Sequence, residues 1–247
     1  DGLEDAYDPG RLMGSFAEET ARDYQFTRAA QDDFALASLA RAQKAIADGA
    51  FAAEIVPVTI SGRGGDVVVD TDEQPGKAQA HKIPTLKPAF ARDGTITAAN
   101  ASSISDGAAA LVLTRASVAA AEGMAVQARI VAHAAHAHEP AKFTTAPVPA
   151  IGKVLARAGW SVADVDLFEV NEAFAAVAMI AMHDLKIPHE KLNIHGGACA
   201  LGHPIGASGA RIIATLLAAL ERTGGRRGVA ALCIGGGEAT AIAVERI

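Results

Sequence analysis

The sequence predicts an α/β chain: a layered domain with a mostly parallel sheet, preceded by a looser segment. Three observations predict it. Beyond residue 105, short apolar strand-like runs alternate with helix-length segments of helical periodicity. Glycine-rich turns punctuate these runs, at Gly196-Gly197 and at Gly235-Gly236-Gly237. Before that, the chain is charged and proline-bearing, and it changes at Thr95 to small polar residues, which sets a boundary near Ile104. The expected division is residues 1–104 and 105–247.

Residues 1–15 are polar and loop-like. Residues 18–48 hold two helical segments broken near Phe26-Thr27. The second carries Ala35, Leu39, Ala42 and Ile46 on one face and stops at Gly49. Residues 54–60 and 66–69 alternate like strands around Gly62-Arg63-Gly64-Gly65, a hairpin signal. Residues 70–91 read as an irregular loop carrying Lys77, Lys82 and Lys87. Residues 108–113 read as a buried strand, 116–122 as a helix and 128–132 as a strand. Helices are expected over 147–159, 171–185 and 210–220, and strands over 165–170 and 191–195. Residues 228–234 and 239–244 read as a closing hairpin.

Of the 247 residues, half are hydrophobic and a fifth charged, so a large core can form. The net charge of −6 argues against a general nucleic-acid binder, but not against a local basic pocket for phosphate. Two cysteines, Cys199 and Cys233, do not make a disulfide framework; a reducing compartment is expected, the cytoplasm or a mitochondrial matrix. No apolar run reaches membrane-spanning length. The start, Asp1-Gly2-Leu3, has neither an initiator Met nor a targeting pattern, and reads as the middle of something longer.

Three turns at strand ends carry chemistry: Asn171-Glu172-Ala173-Phe174, Gly202-His203-Pro204, and Cys233-Ile234-Gly235. In open α/β sheets ligands lie beyond the carboxyl ends of strands, so the three can converge. Taken singly, Asn171 is a natural helix N-cap, Cys233 and Cys199 are small buried hydrophobes, and His203 is a loop histidine fixed by its proline. Together they supply a thiol, an imidazole and an amide. A thiol pKa of about 8.5 falls beside a cation or a helix start, which suits acid, base or nucleophile work. Imidazole and amide can donate to a developing oxyanion. Nucleotide binding competes weakly: residues 197–202 have P-loop glycine spacing, but His203-Pro204 stands where Lys-Ser/Thr is needed.

These turns, with Gly206-Ala207-Ser208-Gly209-Ala210-Arg211, resemble the three C-terminal signature blocks of the thiolases. Asn100-Ala101-Ser102 with Asp106-Gly107-Ala108 resembles another block, and the likeness runs along the whole chain. The resemblance is to the acetyl-CoA acetyltransferase (acetoacetyl-CoA thiolase) type. It implies a layered αβαβα fold, of which residues 1–104 are most of an inserted CoA-binding loop domain and the rest the C-terminal domain. It also implies that the half bearing the acyl-accepting cysteine is not in this sequence, since neither Cys199 nor Cys233 occupies that position. The implied reaction is thiolysis of 3-oxoacyl-CoA or condensation of two acetyl-CoA. His203 would activate the acyl-accepting thiol. With an Asn171-held water, it would also stabilise the enolate. Cys233 would move the α-proton, and Gly235 N–H would hold the acyl oxygen. Ser102 matches a pantetheine contact, Lys77 and Lys82 match nucleotide contacts, and Met13 and Phe174 shape the acyl pocket. Some relatives bind potassium through backbone carbonyls like those of Ala98, Ala99 and Ala101 together with a tyrosine, but Leu39 stands in that tyrosine's place, so no metal is expected, and no cofactor, the CoA thioester being substrate. The implied partners are the missing half and further copies in a homodimer or homotetramer. A CoA or lipid carrier without catalysis is the other reading.

Overall fold

The computed structural model describes residues 3–247. Two helices open it, α1 (Met13–Asp23) and α2 (Arg28–Ala47). Thr27 starts α2 by accepting a hydrogen bond from Ala30 N on its side chain. The expected hairpin follows as β1 (Val58–Gly62) and β2 (Gly65–Val69), with Ile60 opposite Val67. The charged stretch holds two short turns, α3 (Glu73–Lys77) and a 3-10 turn (Ala80–Thr85). After α4 (Ala116–Ala121) come β3 (Ala128–Ala137), α5 (Pro147–Ala158), β4 (Leu167–Val170) and α6 (Ala175–Leu185). The chain closes with α7 (Ala198–Leu201), α8 (Ser208–Thr223), β5 (Arg227–Ile234) and β6 (Glu238–Arg246).

The sheet order is β3-β6-β5-β4. Only β4 and β5 run parallel; β5–β6 and β6–β3 are antiparallel, so the mostly parallel sheet expected from the alternation is corrected to a mixed one. The cause is local. The turn through Gly235, Gly236 and Gly237 is too short for a crossover and can only return the chain antiparallel.

Side chains alternate across this sheet as the pleat requires. Phe168, Val170, Val229, Ala231, Cys233, Ala239, Ala241 and Ala243 join the cluster built on α5 and α6, which also takes in Phe16 of α1 and Phe34 of α2. Leu167, Ala230 and Val244 point the other way, onto Ile212, Leu216 and Leu220 of α8. The sheet is thus sandwiched between α5/α6 and α8, with the first two helices stacked outside α6.

Three local expectations fail. Residues 108–113 form no strand: they are irregular and largely exposed, with Val112 93% accessible. An apolar run becomes a strand only when a ladder satisfies its backbone, and among the described residues none is offered. Residues 191–195 are not a strand either; Leu192 makes a single bridge to Phe168, and the Asn193 side chain bonds both N and O of Val170 instead. Finally, α6 starts at Ala175 with Phe174 at its N-cap, so Asn171 is not a cap but part of the turn leaving β4.

Candidate active site

β4 and β5 end side by side. Asn171 N donates to Ala231 O at 3.0 Å, so Asn171 and Cys233 leave the sheet at one edge. The His203 turn comes to the same edge: Asn171 Nδ2 lies 3.3 Å from His203 Nε2. On its other side, His203 Nδ1 is 2.5 Å from Ser208 Oγ, and that hydroxyl donates to Pro204 O at 3.0 Å. We assign the hydroxyl hydrogen to this Pro204 O bond, which makes Ser208 Oγ the acceptor of Nδ1–H. The neutral ring therefore carries its proton on Nδ1 and presents the Nε2 lone pair to the Asn171 amide. Burial and then the Arg211 charge hold the His203 pKa below the usual histidine range, which favours this neutral base.

The turn itself is held from outside. His203 N donates to Ser103 O, and Pro204 packs where a side chain on Gly107 would stand. Gly202 adopts φ +90°, and a Cβ there would collide with Ser105 Oγ; both the left-handed backbone and the close approach require glycine. Ser208 had no role in the sequence reading. Its only signal was its place at the start of the helix that follows the histidine turn.

Cys233 is buried at the end of β5. Burial pushes its thiol up to about 12. The lowered value expected from a neighbouring cation or helix start is not what the surroundings produce, because the thiol ends a strand inside the α5/α6 cluster. A Cβ on Gly235 would stand 3.1 Å from Met13 Sδ, so Met13 lies directly against the turn that follows Cys233. Phe174 bridges to Ala101 and stacks edge-on with Phe90 and Phe143. Ser102 donates from both N and Oγ to Ala173 O, which sets it beside Phe174. Asn171 Oδ1 is buried without a hydrogen-bond partner among the described residues.

Lys77 and Lys82 stand apart from this group. They line a cavity of about 330 Å³ with Gln74, Leu39, Ile83 and Cys199, and Lys77 is paired to Glu73. Gln74 connects the cavity to the histidine turn by bonding Ser103 Oγ and Ser105 Oγ. Behind the sheet, Glu169 of β4 faces Arg211 of α8 at 3.8 Å, and burial pushes its carboxyl up to about 8. Among the described residues there is no cluster of His, Cys, Asp and Glu fit for a metal ion. Nor is any helix there long and apolar enough to cross a membrane.

Family models match both parts of the chain: "Thiolase, N-terminal domain" over residues 1–117 and "Thiolase, C-terminal domain" over 124–246. The chain belongs to the thiolase family. Among curated thiolases it is 49% identical to an acetyl-CoA acetyltransferase of Thiocystis violacea, and 49% identical to a cytosolic acetyl-CoA acetyltransferase of Mus musculus. All of the chain is aligned in both cases, spanning 63% and 62% of those proteins. A solved Bacillus anthracis acetyl-CoA acetyltransferase superposes with TM-score 0.95 at 43% identity, over 99% of this chain and 62% of that one. Human mitochondrial 3-ketoacyl-CoA thiolase superposes with TM-score 0.90 at 33% identity, with the same coverage. The layered thiolase fold is therefore the fold of this chain, and the chain spans under two thirds of the thiolases it matches.

Proposed function

We propose that the protein carries out acyl transfer to and from CoA: thiolysis of a 3-oxoacyl-CoA, or its reverse, condensation of two acetyl-CoA. One observation carries this: with Ser208 taking the Nδ1–H of His203, Nε2 is the basic nitrogen, its lone pair facing the Asn171 amide at the edge where Cys233 ends. His203 Nε2 takes the proton of the acyl-accepting thiol. Once protonated there, it donates to the enolate oxygen together with a water held by Asn171, whose unpartnered Oδ1 supports that task. Cys233 moves the α-proton, and Gly235 N–H holds the oxygen of the acyl-enzyme. A thioester α-proton is weakly acidic, so fixed donors at the enolate oxygen are what the chemistry demands.

The acyl-accepting thiol is assigned outside these 247 residues. Cys199 packs against Glu172 O and Cys233 is the proton mover, so neither is free for that role. Ser102, Met13 and Phe174 line the acyl and pantetheine path. The apolar, lysine-rimmed cavity of Lys77 and Lys82 suits the nucleotide end of CoA. The division falls near residue 104, with the CoA-binding part before it. No metal and no further cofactor takes part. Association into a homodimer or homotetramer is supported by the β1–β2 hairpin, one face of which exposes Val58, Ile60, Val67 and Val69.

Acetyl transfer from labelled acetyl-CoA and cleavage of acetoacetyl-CoA, measured on the full-length protein and on the 247-residue chain, test this. The full-length protein is expected to do both and the isolated chain neither. A full-length protein that binds CoA yet catalyses neither step would instead be a carrier.

A further inference from the structure

Glu172 has no part in the chemistry above, yet it is 1% exposed and its carboxylate meets only donors. Oε2 accepts from Ser38 Oγ at 2.7 Å and from Cys199 N at 3.1 Å, and Oε1 accepts from Asn193 Nδ2 at 2.8 Å. Ser38 Oγ in turn accepts from Gly197 N at 2.9 Å. A side chain on Gly197 would fall on the carboxylate itself, so the turn lies directly against it. From α2, Arg41 completes the grip by donating to Leu192 O at 2.8 Å and His189 O at 3.0 Å. Glu172 follows Asn171 in the chain, and the turn it holds, residues 196–202, runs straight into His203.

We propose that Glu172 is a positioning residue: its carboxylate sets the 196–202 turn, and with it the His203 imidazole, against Asn171. The kinetic part of this rests on the acyl-transfer reading. The donor pattern explains why the group is an acid. Asn193 cannot turn its amide, because Oδ1 accepts from Val170 N and Nδ2 also donates to Val170 O. Cys199 N and Ser38 Oγ both need Oε2. An amide in place of either oxygen would put a donor against a donor, whereas both carboxylate oxygens accept. A buried charge is seldom kept for stability alone, since well-packed apolar side chains often replace it without loss. Here it ties three segments, from α2, from the end of β4 and from the histidine turn, to one point.

The test is Glu172→Gln, with Ser38→Ala as the milder variant. It is read by acyl-transfer and condensation kinetics per folded molecule, and by ring ¹⁵N NMR of His203. Glu172→Gln is expected to lower kcat about 100-fold with KM for acyl-CoA nearly unchanged, the scale of a misplacement of about 1 Å. The His203 ring is expected to lose its single Nδ1–H form and average over both tautomers. Ser38→Ala should move both readouts the same way by about tenfold, and it decides the matter if Glu172→Gln does not fold. Lowered melting with normal kcat and an unchanged ring spectrum overturns the proposal. If the wild-type protein catalyses neither step but the ring spectrum still responds to Glu172→Gln, the acyl-transfer reading fails while the positioning role stands.

Discussion

Replacing Ser208 by alanine tests the centre of the site with one atom. Ser208 is fully buried, and its Oγ is the acceptor for His203 Nδ1–H. Without it, that donor has no acceptor, and the ring either stays with a buried unpaired N–H or shifts its proton to Nε2. An unsatisfied buried donor costs about 1–3 kcal/mol. If the cost falls on the reactive tautomer, the barrier for acyl transfer rises by the same amount. At ~1.36 kcal/mol for each factor of ten, the expected loss is roughly 5- to 150-fold in acyl-enzyme formation. Condensation also falls, but less, because an Nε2–H ring can still donate to the enolate oxygen. The assay is the rate of acetyl transfer from labelled acetyl-CoA, with the acyl-accepting half proposed above present, set beside condensation and the melting temperature. The hydroxyl also bonds Pro204 O, so some thermal destabilisation is expected in any case. Acetyl transfer within threefold of wild type would show that the serine only ties down the start of α8, and the tautomer assignment would be wrong.

Other substitutions probe the remaining groups. Cys233→Ser, with the acyl-accepting half proposed above present, is expected to slow acyl-enzyme formation modestly, because a CoA thiolate can leave without an acid, and to abolish condensation, because an alcohol's conjugate base is too scarce to move the α-proton; loss of acetyl transfer with surviving condensation would reverse the assignment. His203→Asn should damage both half-reactions, acyl transfer by roughly 100- to 10,000-fold and more than condensation, since an amide donates but is no base; early melting with normal rates would return His203 to a structural part. Glu169→Gln should stabilise the fold increasingly as pH rises. The folded wild type keeps the Glu169 proton up to about 8 while the unfolded chain releases it near 4.5, so the stability from that proton is present below 4.5 and lost as pH rises through 8. The gap in unfolding free energy between variant and wild type should open across that window, by an amount on the order of a few kcal/mol, and a gap flat in pH would refute it.

What was legible in the sequence was whatever is local. The glycines beside His203 and Cys233 announce turns, the change near Phe26-Thr27 announces a helix break, and Gly62 to Gly65 announce a hairpin; each is decided by the backbone within a few residues. What was illegible depends on partners far along the chain. The stretch 108–113 has the composition of a strand, but composition supplies no ladder. At 191–195 the backbone makes only one bridge to β4, and the Asn193 side chain takes over the next pair of bonds, to Val170 N and O, which no periodicity reveals. Ser38 and Glu172 meet across 134 positions, and each alone is only a polar residue in an apolar setting.

The Cys233 thiol shows how such non-local packing can reverse a chemical expectation without undoing the proposed role. A thiol near neutrality would be more often ionised, but its thiolate would be a weaker base. Raised to about 12 by burial, Cys233 rests as a thiol, and its thiolate, once formed, is the stronger base. The proposed reaction forms that thiolate without drawing on bulk solvent. If Cys233 takes the proton of CoA in thiolysis, then by microscopic reversibility it gives a proton to the departing CoA thiolate when the acyl-enzyme forms in the synthetic direction. The residue left behind is the thiolate that removes the α-proton of the next acetyl-CoA, and the new carbon–carbon bond then releases the acyl group from the other thiol. Acid in the first half and base in the second, one sulfur gives a proton to CoA and takes another from the α-carbon. Against an ordinary thiol, the rise makes the first transfer harder and the second easier. Since enolisation is the harder of the two, a buried strand end is the better place for this cysteine than a helix start.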